Sequence, residues 1–106
     1  SGSGPAYFFL MAEAMVDAAV GLGLTRETAT TLVTQTMVGS AAMLDRSDES
    51  ATELRSGVTS PGGTTAAALA ELERRGFRAA VLDAVEAAKA RSVALGIPPD
   101  GTPLLG

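Results

Sequence analysis

Seven consecutive residues, Thr59, Ser60, Pro61, Gly62, Gly63, Thr64 and Thr65, combine the features that could hold a small anion. Pro61 stiffens the approach, and Gly62 and Gly63 let a ligand reach the backbone with no Cβ in the way. An alanine-rich stretch follows, so the segment lies just before a predicted helix. The free N–H groups of a helix's first turn, at the positive end of its dipole, can bind a carboxylate without any lysine or arginine. The hydroxyls of Thr64 and Thr65 add donors there. On pattern alone, the same residues also read as nothing more than a turn and a helix cap.

Little else in the chain competes for chemistry. Its 106 residues contain no histidine and no cysteine. That excludes a Ser-His-Asp arrangement, a cysteine nucleophile, disulfides and thiolate zinc sites, and it leaves no metal-ligand cluster. Glu13 and Asp17 are four apart, which suggests a carboxylate pair, but on an apolar helix they are expected to face solvent or a polar partner. Gly2-Ser3-Gly4 and Gly21-Leu22-Gly23 do not complete the G-x-G-x-x-G pattern after a strand that a dinucleotide-binding loop needs. A net charge of −4 with eight scattered basic residues gives no footprint for nucleic acid. The longest apolar run, residues 6–12, is far short of the roughly 20 residues a membrane span requires. No basic segment precedes it, so a signal peptide is not expected and the cytoplasm is the expected compartment.

The elements that must position the turn are helices. Alanine dominates the apolar content and only Tyr7, Phe8, Phe9 and Phe77 are aromatic, a composition that reads all-α. A first helix is expected over 5–20. It is apolar nearly all round, which calls for cover on most sides and so for a partner chain. Gly21-Leu22-Gly23 breaks it. Thr25 is the expected N-cap of a second helix over 26–44, with Glu27 in its first turn. Residues 45–49 read as a solvated connector, and Ser50 with Glu53 as a capping box opening a short helix that Gly57 ends. A fourth helix is expected over 66–75, with Gly76 as its stop, and a fifth over 77–95 with an apolar stripe of Phe77, Val81, Val85, Ala88 and Leu95. Met11, Met15, Met37 and Met43 read as core filler. The length suits one domain over 1–95, and the proline- and glycine-rich 96–106 reads as a flexible tail.

Taken in order, SGSGPAY at 1–7, GLGLTRE at 21–27, VTSPGGTT at 58–65 and RGFRAAVLDAVEAAKARS at 75–92 resemble the pyrroline-5-carboxylate reductases. The resemblance covers residues 1–95. It implies a reductase of proline biosynthesis that converts 1-pyrroline-5-carboxylate to L-proline with NADPH or NADH. The cofactor, NADP or NAD, would be bound mainly on an N-terminal Rossmann domain that this sequence does not contain, so the fragment alone is expected to be inactive. The implied fold is an all-α dimerisation domain of about five helices, similar to the C-terminal domain of 6-phosphogluconate dehydrogenase and interlocked with a second copy. A homodimer is implied, with rings of dimers as a larger form. On the matching positions, Ser60, Gly62, Gly63 and Thr64 would bind the substrate carboxylate and Val58 and Thr59 would line the pocket. Thr65 would be the catalytic residue, its hydroxyl facing the ring nitrogen to orient it by hydrogen bonding. Two alternatives use the same residues: a non-catalytic helical dimerisation module, or the helical domain of another Rossmann-type reductase.

Overall fold

The computed structural model describes residues 4–96, and among them every regular element is an α-helix. The order is α1 (Gly4–Gly21), α2 (Arg26–Arg46), α3 (Ala51–Gly57), α4 (Thr64–Arg74) and α5 (Phe77–Ala94). This bears out the all-α reading. Of the tail expected over 96–106, all but Gly96 lies outside the described residues, as do Ser1 to Ser3 of the first motif. Where a single domain was expected over 1–95, the chain divides into two compact units, the division falling between Arg55 and Ser56.

The first unit is built on the α1–α2 hairpin. α1 begins at Gly4, with Pro5 in its first turn, and ends where Gly23 takes a φ of 113°, a conformation that suits glycine. Thr25 then starts α2 in extended conformation, its hydroxyl accepting from the Thr28 amide at 3.2 Å, so the expected N-cap forms. Asp17 of α1 pairs with Arg26 at 3.1 Å across this corner, in the open. Val16, Ala29 and Val33 are buried where the helices meet, and Ala12, Ala19, Val20 and Met37 pack around them. α2 continues to Arg46, so Asp45 and Arg46, expected in the connector, are helical; the Ser47 amide still donates to the Met43 carbonyl at 2.9 Å. The capping box at α3 forms in both directions. The Ser50 amide donates to Glu53 Oε1 at 3.0 Å, and the Glu53 amide donates to Ser50 Oγ at 3.1 Å.

The second unit carries the glycine turn, α4 and α5. Gly76, with φ of 76°, ends α4 and starts α5 in one left-handed residue. Around it Glu71 pairs with both Arg74 and Arg75, and Glu73 with Arg78 at 2.8 Å, all exposed and so weak individually.

Neither hairpin closes a core of its own. The three residues named above are the only buried ones among the described residues, and α3, α4 and α5 contribute none. Phe8, Phe9 and Leu10 are each about two-thirds exposed on successive positions of α1. Successive helical positions point roughly 100° apart, so these three spread over more than half the circumference. The four methionines were expected to fill a core; Met37 does pack against it, but Met15 and Met43 are exposed, because no second layer lies over them.

Candidate functional site

The turn is made by two short-range hydrogen bonds and one glycine. Past the end of α3, the Thr59 amide donates to the Ser56 carbonyl at 3.2 Å, and the Gly63 amide donates to the Ser60 carbonyl at 3.1 Å. The second bond closes a four-residue turn with Pro61 and Gly62 in the middle. Proline presets φ at the first central position, and Gly62 takes a φ of 70° at the second, which is the pattern of a type II turn. Gly63 returns to extended backbone as the N-cap of α4, and its carbonyl accepts from the Ala67 amide at 3.1 Å. A Cβ on Gly63 would come within 3.3 Å of the Ser60 carbonyl oxygen, so this position is tight on the turn side.

With Gly63 as the cap, α4 starts at Thr64 rather than at the expected Ala66. Thr64 and Thr65 therefore belong to the first helical turn. The reason is that the break in helical dihedrals is completed by Gly62 and Gly63 and needs nothing after them. One consequence is a third donor that sequence reasoning did not name: the amides of Thr64, Thr65 and Ala66 all precede the first helical hydrogen bond, which starts at Ala67. Among the described residues no protein group accepts from them, and glycine offers no capping side chain. The rule that the first turn of any helix carries free amides would have found Ala66 once the start was placed.

The electrostatics favour an anion at this point. α4 carries no acidic residue in its first turn, so nothing local opposes the partial positive charge of the helix end. α5 also starts on a glycine, Gly76, but its first turn has no hydroxyl and carries Arg78, already paired with Glu73. Ser60, Gly62, Thr64 and Thr65 are exposed and Thr59 and Gly63 partly so, while Val58, expected to line a pocket, is 64% exposed. The expected site residues run along the chain from Val58 to Thr65, over the turn and the start of α4, and most of them are exposed. No metal-holding group of acids occurs among the described residues, and no described helix is long and apolar enough to cross a membrane.

The family described as pyrroline-5-carboxylate reductase dimerisation matches residues 1–95. The chain belongs to this family. The dimerisation domain is 58% identical to a pyrroline-5-carboxylate reductase of Mycobacterium tuberculosis, over 94% of this chain and 40% of the relative. It is 53% identical to that of Pseudomonas aeruginosa, over 90% of the chain and 35% of the relative. Among solved structures, it is similar to the Plasmodium falciparum pyrroline carboxylate reductase with NADP bound, at a TM-score of 0.88 and 46% identity over 91% of this chain and 37% of that one. The reductase of Coxiella burnetii is similar at a TM-score of 0.87 and 48% identity, over 90% and 35% respectively. The dimerisation domain therefore spans about 40% of the length of the curated relatives it matches, their C-terminal portion.

Proposed function

We propose that this chain is the dimerising, substrate-holding part of a cytoplasmic reductase that converts 1-pyrroline-5-carboxylate to L-proline, working as a homodimer that can assemble into rings. The observation that carries the substrate role is the start of α4: three amides without acceptors among the described residues, at a helix end with no acid in its first turn. A carboxylate placed there takes hydrogen bonds from the backbone of Thr64, Thr65 and Ala66 and from the hydroxyls of Ser60 and Thr64, while Gly62 and Gly63 leave it room. Val58 and Thr59 flank the seat.

Thr65 follows at the second helical position. It holds the ring nitrogen by its hydroxyl once the carboxylate is fixed. The imine carbon is reduced most readily when that nitrogen is protonated or hydrogen-bonded, so the part of these residues is to hold and orient the ring. The nicotinamide cofactor, NADP or NAD, would be bound mainly outside this chain, since the sequence has no glycine fingerprint for a dinucleotide pyrophosphate. Binding of the cofactor is therefore assigned to the remaining length that the relatives have.

The openness of the turn supports a second reading, in which the domain only dimerises and the turn only starts a helix. A titration separates the two. With L-proline added to the dimeric chain, the first reading expects the amide resonances of residues 60–66 to shift progressively, with α1 and α2 unaffected. An unchanged spectrum at saturating proline would leave dimerisation as the domain's role.

A further inference from the structure

We infer that Gly62 is a positioning residue, an assignment that rests on the carboxylate seat under Proposed function: its left-handed backbone stops α4 from growing upstream and so keeps the seat's amides free before any ligand arrives. Two glycines stand side by side there, for different reasons. A Cβ on Gly63 would come within 3.3 Å of the Ser60 carbonyl oxygen, so that position lacks space. A Cβ on Gly62 would meet nothing within 4 Å beyond its chain neighbours, yet φ there is 70°, so the dihedral is what calls for glycine.

The stop is needed because the sequence just upstream is itself a good helix start. Serine is among the best N-cap residues and proline is favoured at the first helical position, so Ser60-Pro61 reads as a cap and a first residue. A helix begun there would send the Thr64 amide to the Ser60 carbonyl, Thr65 to Pro61 and Ala66 to residue 62. Every amide of the seat would then be spent inside the helix. The structure does otherwise: the Gly63 amide donates to the Ser60 carbonyl at 3.1 Å, α4 takes Gly63 as its cap, and the Ala67 amide is the first to bond within it. The type II turn and the longer helix share the φ of Pro61. They part at the peptide that follows, with Gly62 left-handed in the turn and right-handed in the helix.

Gly62→Ala and Gly62→Asn separate conformation from room. Alanine is the best helix former and disfavours positive φ, whereas asparagine is larger, a poor helix former and tolerant of positive φ. In the alanine variant of this chain, the Thr64, Thr65 and Ala66 amides should exchange with solvent several times more slowly relative to their intrinsic rates. In a reductase containing this chain, the same change should raise KM for the carboxylated substrate by roughly tenfold or more, with kcat held within about twofold. Asparagine should lie closer to the unmodified protein in both readouts. Unchanged exchange of the three amides in the alanine variant would overturn the inference. So would a KM raised more by asparagine than by alanine, since room around Gly62 would then decide. Slower exchange with an unaltered KM would support the register of α4 and count against the substrate seat instead.

Discussion

On the proposed reading, a single hydroxyl at Thr65 divides binding from orientation. The Thr65 amide would stay in the proposed carboxylate seat whatever the side chain is, so removing the hydroxyl should leave substrate binding largely in place and slow the chemical step. In a reductase containing this chain, Thr65→Ala is expected to lower kcat by about tenfold to a hundredfold, the loss of a hydrogen bond worth about 1.5–3 kcal/mol to a charged partner. KM should change less, and Thr65→Ser should restore most of the rate. A near-normal kcat for the alanine variant would remove Thr65 from the mechanism. What was legible here was the turn, because proline and glycine in this order limit the backbone strongly. What was not legible was the helix start, which depended on Gly62 and Gly63 completing the turn between them.

Helix ends were the most readable elements, since each is fixed by one or two local bonds. Thr25, Ser50 with Glu53, and Gly76 do what their types suggest. The Ser50 backbone N–H, and then its hydroxyl, hold the Glu53 carboxyl below its ordinary value near 4.5, and the Arg74 guanidinium does the same to Glu71, helped by Arg75. A carboxylate whose folded pKa is depressed stabilises the fold above its unfolded pKa. It loses that contribution as pH falls through the lower, folded value. Acid titration is therefore expected to loosen the start of α3 only below about pH 4.5, seen as faster hydrogen exchange at Glu53 relative to its intrinsic rate. Glu53→Gln, which removes the titrating carboxyl, should abolish that pH dependence; if it persists in the variant, the capping box is not its source. Helix faces were less readable. The stripe of Phe77, Val81 and Val85 and the four methionines were expected to pack, yet a periodic apolar pattern says that a face needs cover and not where the cover comes from.

For the whole molecule, the apolar surface of α1 is the feature that the sequence exposed most directly and one chain satisfies least. Phe9, 66% exposed, is the test position. Phe9→Glu withdraws a side chain whose burial is worth about 1.5–3 kcal/mol in each copy, and a carboxylate would have to be desolvated in its place. The dimer dissociation constant is expected to rise by at least about tenfold in sedimentation, while Glu13→Gln, at an exposed polar position, should leave it unchanged. Equal association of both variants would show that this face of α1 is not between the copies.

The bare cap at Gly63 also sets a limit on engineering. A search for a more stable protein would put aspartate there, a far better N-cap that could satisfy an α4 amide from within, at the cost of crowding the Ser60 carbonyl. That carboxylate would behave as a tethered competitive inhibitor, present at every turnover and never washed out. Gly63→Asp should therefore raise KM for the carboxylated substrate steeply even where it raises the melting temperature. A better cap and the proposed carboxylate seat would draw on the same three N–H groups.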